Sequence, residues 1–458
     1  MRSVSSTTAR IFLAFLPVFF LLGSSAQQNS PFSRYGLGEL YSNQHVISRA
    51  MGGLSAAYAD GLNNNVGQAV NFNNPATYGS FYMTTFDVGL TIDTRTLISN
   101  NPTGKFSSKN FTPSYISVGL PLKKTKGWGM AFGLKPLSTI NYSIENRSVM
   151  AGTGDSLLTV YDGQGGLNQF FVGIGKKIGN FSIGFNTGYN FGKREINTRK
   201  AFLNDTVAHY QGLSSSKTSY SGIFLHGGLQ YEFSVGKKVF AETKTTNNYL
   251  LRMGVTGTLQ QQLSASQDQI KQTYTPTTSG DFKIDSVSEV YNIKGKITLP
   301  STYAAGLTLH KTVTNPRGVF ELWSIGAEYT ATQWTKYRFY GQPDQLADSW
   351  QLKLGVQFSP DPLSGRGYWN NVNYRAGFFT GKDYINADGN GLKQTGFSLG
   401  AGLPIKKWRA YDNQFTFLNT ALQFGKRGTA VNNVTESFFQ FTFGMSLSDL
   451  WFIKRRYD

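Results

Sequence analysis

Residues 181–192 read FSIGFNTGYNFG. One parity carries Phe181, Ile183, Phe185, Thr187, Tyr189 and Phe191, and the other carries Ser182, Gly184, Asn186, Gly188, Asn190 and Gly192. A period of two places these sets on opposite faces of a strand. In a water-soluble sheet the bulky set would pack on a core while the opposite face carried charge. Here the second face is small, polar and uncharged. The stretch reads as an inside-out strand, with bulky side chains toward lipid and small ones toward an interior.

The alternation recurs along the chain. From Tyr82 to Ile92 the even positions are bulky or hydroxylated, and the odd ones include Asp87 and Gly89. Similar segments lie near 114–123, 128–140, 167–177, 181–194, 219–233, 249–261, 296–310, 319–333, 349–358, 372–380, 395–405, 415–426 and 437–448, which makes fourteen. An even number brings both ends of a wall out on one side, as single-chain bacterial barrels require. The expected fold is all-β, a 14-stranded antiparallel transmembrane β-barrel. The competing architecture is a soluble β-sandwich or propeller.

The connections alternate too. KKTKG (123 to 127), KKIGN (176 to 180) and KKWRAYDNQ (406 to 414) represent a short set, and SVGKKVFAETKTTNN (234 to 248) falls in the same series. The other set is longer and polar, with irregular loops expected at 141–165 and 262–288. In outer-membrane barrels the short set faces the periplasm. The bulky faces of expected strands one, five, seven, nine, ten and fourteen carry no charge, whereas the opposite faces carry Asp87, Arg252, Glu328, Lys353 and Arg375 as candidate polar residues of the lumen. Trp128, Trp323, Trp334, Trp350, Trp369, Trp408 and Trp451 fall at expected strand ends or turns, where an aromatic girdle belongs.

Composition agrees with a β-rich exported chain. Aromatics make up 14% of the 458 residues and charged residues only 15%, with 51 glycines and no cysteine. Without cysteine there is no disulfide framework and no acylated lipoprotein start. Arg2 and Arg10, the apolar run Ile11 to Leu22, and Ser24-Ser25-Ala26 form a secretory leader over 1–26, with the mature chain starting at Gln27. The apolar run is short for a spanning helix, although a retained anchor is the alternative. The formal charge of +18 is spread over turns and a basic periplasmic tail, 453–458, rather than gathered on one face, which argues against nucleic acid as a partner. In the turns the lysines keep the chain solvated or attract anionic headgroups.

Residues 27–80 do not alternate, and the barrel is expected over 81–452. Small residues in SRAMGGLSAAYADG (48 to 61) and FNNPATYG (72 to 79) permit close packing, so this segment can fold inward as a plug against the polar lumen. RAMGG at Arg49 to Gly53, with Gly52 and Gly53, followed by Asn74, Pro75 and Ala76, resembles the N-terminal hatch of the outer-membrane long-chain fatty acid transporter family (FadL/TodX-like). ITLPSTYAAGL (297 to 307) and WSIGAEYTATQW (323 to 334) are similar to mid-barrel strands of that family. Thr77 stands where the family usually has glycine, and VGQAVN (66 to 71) lengthens the spacing. The resemblance implies a hatch inside the lumen, and passive uptake of a hydrophobic, fatty acid-like small molecule released sideways into outer-membrane lipid. The family also includes a shuttle subunit of type IX protein secretion. That implies the alternative: an adaptor whose partner is a protein in a secretion or assembly complex.

Pro136 arrives eight residues into WGMAFGLKPLS, which starts at Trp128. Proline donates no hydrogen bond to a ladder. It is a candidate lateral gate, since the family resemblance implies release through a kink in the third strand. The other reading is that Pro136 only ends regular pairing before the loop 141–165. His45, His209, His226 and His310 stand far apart, so no metal or cofactor site is expected, and His226 and His310 fall on the lumen face. With no nucleophile motif or phosphate-binding loop, the chain reads as a non-enzyme.

Overall fold

The computed structural model describes residues 30–59, 68–100, 103–150, 154–203, 209–277, 280–361, 367–387, 389–405, 414–429, 432 and 434–450. The expected leader, the Gln27 start, the 453–458 tail, Trp408 and Trp451 lie outside the described residues.

Among the described residues of 30–83 the elements are a two-residue strand β1 (Glu39–Leu40), one short helix α1 (Val46–Ala50) and 3-10 turns. The wall then runs β2 (Thr84–Asn100), β3 (Thr103–Lys123), β4 (Trp128–Val149), β5 (Ser156–Ile178), β6 (Phe181–Phe202), β7 (Gln211–Phe240) and β8 (Thr245–Thr258). A hairpin follows, made of β9 (Gln261–Thr277) and β10 (Gly280–Leu299). The wall resumes with β11 (Thr302–Asn315) and β12 (Gly318–Thr332). After a two-residue strand β13 (Arg338–Phe339) come β14 (Ser349–Phe358), β15 (Asn373–Ala387), β16 (Asn390–Ile405), β17 (Phe415–Arg427) and β18 (Val434–Asp449). Strand β8 pairs with β11, and β18 pairs with β2, which closes a 14-stranded antiparallel barrel. Where its strands pair, the backbone groups of such a wall satisfy one another, as lipid demands.

Each of the fourteen expected segments has its wall strand, but the connections differ from expectation. The loop expected over 262–288 is the β9–β10 hairpin, stacked on the upper half of β7 through pairs such as Ser221 with Ser264. The loop expected over 141–165 is mostly strand, because β4 continues to Val149 and β5 begins at Ser156. Beyond the bilayer both faces of a strand meet water, so the alternation that marks the spanning part disappears while backbone pairing goes on. At the short-turn end the 234–248 connection is likewise a hairpin extension of β7 and β8.

Outward side chains such as Ile183, Phe185, Ile223, Leu225, Val255, Ile325, Leu354 and Phe397 are exposed, and their inward neighbours are buried or half-buried. Trp334 departs from the girdle expectation. It is buried, with its ring 4.9 Å from that of Tyr384, in a loop turned into the lumen. That loop carries β13, which pairs with β10 at Ile297 and Thr298.

Candidate functional site

The small face of FSIGFNTGYNFG packs against the N-terminal segment. A Cβ at Gly184, or at Gly175 of β5, would fall 2.3 Å from the carbonyl oxygen of Pro75, and one at Gly228 of β7 would fall 2.1 Å from Asn74 Oδ1. Only glycine lets backbone and wall approach so closely. Beside them, the Asn186 amide donates to the Phe72 carbonyl at 3.0 Å.

The residues singled out from sequence converge here. Asp87 accepts a hydrogen bond from the Val70 N–H at 2.6 Å. Glu328 accepts from the Ser55 and Ala56 N–H groups at 2.6 and 2.7 Å and pairs with Lys353 at 2.9 Å. Arg252 donates to the Ala59 carbonyl at 3.4 Å and pairs with Glu232. Arg375 instead stays within the wall, donating to Gln357 at 2.7 Å and Asn419 at 3.1 Å.

The hatch motif is placed similarly. Arg49 reaches the hydroxyls of Thr91 and Thr442, at 3.1 and 3.0 Å. Gly52, at φ +68°, donates to Ser398 Oγ at 2.9 Å, and a Cβ there would meet the Leu354 carbonyl at 2.6 Å. Asn74 caps the turn at Pro75–Ser80 by accepting from the Ala76 N–H. Val46, Ile47, Ala50, Met51, Phe72 and Tyr78 form an apolar cluster with Tyr115, Phe171 and Phe224 of the wall. His226 hydrogen-bonds Thr258 and the Asn73 carbonyl, and His310 lies fully buried near Glu232.

Sequence reading missed a second set of contacts. In β1, Glu39 is held by Arg95 at 2.9 Å and by Arg427 at 2.8 Å, and these guanidinium groups also face Asp93, Glu436 and Asp383. Burial opposes ionisation of Glu39, yet the two cations outweigh it and hold its pKa down at about 2.

The wall is not uniform. Pairing of β3 with β4 ends at Ile116 opposite Leu134. Past that point β3 keeps β2 as its neighbour and β4 keeps β5, so the two strands part. Pro136 lies two residues beyond the last pair, where the β4–β5 register shifts. The freed edge of β4 is taken by the N-terminal segment: Leu40 pairs with Ser138, the Tyr41 N–H donates to the Leu137 carbonyl at 3.0 Å, and the Ser30 N–H donates to the Asn141 carbonyl at 3.2 Å. Next to the parting is a cavity of about 1090 Å³. Outer-face Ile116, Leu134 and Pro136 line it together with inward Lys135, Tyr115 and part-buried Tyr41.

These features define a class: a 14-stranded β-barrel whose wall packs against the N-terminal segment and parts between two strands. The sequence matches the family model described as BamG over residues 9–458, and the chain belongs to the BamG family. Among solved structures it is similar to the CymD monoaromatic hydrocarbon channel, with a TM-score of 0.51 at 14% identity over 89% of this chain and 98% of that one. It is also similar to the Ralstonia pickettii toluene transporter TbuX, with a TM-score of 0.51 at 14% identity over 88% and 97%. At this identity the likeness establishes the shared fold. No curated protein matches the sequence.

Proposed function

We propose that this chain is an exported outer-membrane barrel that passively takes up hydrophobic, fatty acid-like small molecules and releases them sideways into the bilayer. In this reading residues 27–80 are the plug, freed of a leader over 1–26, and Pro136 marks the gate. The observation that carries it is the parting of β3 from β4 beside a cavity lined by lipid-facing and interior side chains. An apolar ligand gains free energy by entering lipid rather than crossing water. The two solved structures of similar fold are named as a hydrocarbon channel and a toluene transporter, which supports the same reading. The test is uptake of a labelled long-chain fatty acid by a transporter-deficient host. The unaltered protein should restore uptake and Pro136→Val should slow it without loss of folded barrel.

A second reading rests on the β9–β10 hairpin. It rises past the wall with Phe282 64% and Val287 71% exposed, and among the described residues most of the outer edge of β10 has no strand beside it. Such a surface suits a protein partner in a secretion or assembly complex. No uptake by the unaltered protein, with a defined complex recovered by cross-linking through the hairpin, would favour this reading.

A further inference from the structure

At the short-turn end β7 outlasts one of its neighbours. Its pairing with β6 ends at Tyr231 opposite Phe181, closed by the Glu232 N–H donating to the Asn180 carbonyl at 2.9 Å. Its pairing with β8 goes on to Phe240 opposite Thr245, with one register shift between Ser234 and Gly236. The far side of β8 is held by β11 as far as Thr246 opposite Thr314, and β11 is held by β12. The hairpin is thus backed by two further strands, while among the described residues no strand lies along the β6 side of residues 233–240. At about 3.3 Å per residue this free edge is about 26 Å long, enough to pair a whole strand. Every second residue of such an edge turns its N–H and C=O away from its one neighbour.

The edge reads FSVGKKVF. Val235, Val239 and Phe240 are exposed. Lys237 and Lys238 are exposed too, and among the described residues neither meets a carboxylate. Above the edge lies the turn KKIGN, 176 to 180, where β5 passes into β6. KKTKG, 123 to 127, is tied to that turn by the Lys177 N–H, which donates to the Gly127 carbonyl at 2.8 Å. Neither turn contains Asp or Glu, and neither does the edge. Glu232, just before the edge, is taken by Arg252.

We propose that residues 233–240 receive an extended, acidic segment of a periplasmic protein, which adds as a strand in the place that β6 leaves empty. Main-chain pairing supplies the affinity of such an addition, and side chains supply the selectivity. Lysines on an edge guard it against association. Here the guard discriminates by charge: a second copy would set lysine against lysine, while an acidic strand meets opposite charge from the edge and from the turn above it. Lipid headgroups are the poorer fit, because the exposed apolar series of β7, Ile223, Leu225, Leu229 and Tyr231, precedes the edge, which leads away from the membrane. The site rests on the short turns facing the periplasm. It lies at the other end of the wall from the β9–β10 hairpin, and it stands whether or not the barrel carries a ligand.

The test follows hydrogen exchange of the full chain in native outer membranes, after purification in an uncharged detergent, and after transfer to phosphatidylglycerol vesicles. Those amides of residues 233–240 that exchange fast in detergent should be roughly tenfold slower in native membranes, the effect of about one net hydrogen bond each. Lys237→Glu with Lys238→Glu should abolish the difference, and arginine at both positions should keep it. Heat-modifiable migration checks that both variants are folded. A photo-cross-linker at Val239 should join the edge to a segment in which Asp and Glu outnumber Lys and Arg, read by sequencing the joined peptide. Equal exchange in native membranes and detergent, or protection that survives the charge reversal, overturns the proposal. So does protection conferred by the vesicles alone, which assigns the surface to lipid, or a cross-link to another copy of this chain, which assigns it to self-association.

Discussion

Strand β4 has two edges, and they are built differently. Toward β5 the ladder runs from Trp128 to Val149 with a single register shift after Pro136. Toward β3 it stops at Leu134, and the next partner is a two-residue strand from the N-terminal segment. A ladder between wall strands is covalently continuous through its hairpin turn. The short patch depends on what anchors the segment: the Glu39 carboxylate between Arg95 and Arg427, with the Ser138 hydroxyl donating to the Leu37 carbonyl and the Tyr384 hydroxyl to the Gly38 carbonyl beside it. One edge is wall and the other is a latch.

The largest expected effect comes from cutting the anchor. Glu39→Gln leaves two buried guanidinium groups short of a carboxylate, which costs about 3 to 5 kcal/mol. Hydrogen exchange should speed at the amides of residues 38–41 and stay slow along the β4–β5 ladder. Equal loosening of both edges would erase the distinction.

Acid should do the same by titration. The Glu39 pKa of about 2 lies below its ordinary value of 4.5, so its contribution is complete above pH 4.5 and is lost as pH falls through 2. The shift corresponds to about 3 kcal/mol at neutral pH. Protection factors at β1, with the intrinsic pH dependence of exchange divided out, should therefore fall from pH 4.5 downward, and Glu39→Gln should flatten that dependence.

Next in size is a covalent clamp. Leu40→Cys with Ser138→Cys joins residues that face each other across the patch, in a chain with no other cysteine. Under oxidation the clamp should stop uptake, and reductant should restore it. Uptake unaffected by the bond would show that the segment need not move. The smallest effect is at Pro136→Val, which returns one backbone donor to β4 and should stabilise the local pairing by about 1 kcal/mol, seen as slower exchange at residues 135–138.

Much of the barrel was legible because lipid imposes one rule on every spanning strand. Ile183, Ile325 and Leu354 had to be bulky, and the residues beside them had to be small or polar. The five lumen residues followed from the same parity, and four of them reach the N-terminal segment directly or through Glu328. Above the bilayer the rule lapses, so β9 and β10 read as loop. The latch was invisible for another reason: Glu39 and Arg427 are 388 positions apart, and no local pattern connects them.

The glycine cradle bears on the order in which the molecule is made. Residues 68–80 touch β2 through Asp87, the middle of the wall through Gly184 and Gly228, and β18 through Ser448. Tyr78 and Phe72 are sealed inside, and the approach at Pro75 leaves no slack for a late arrival. The N-terminal segment must therefore be in position while the sheet is still an open curl, and the seam where β18 meets β2 closes last, around a form already seated.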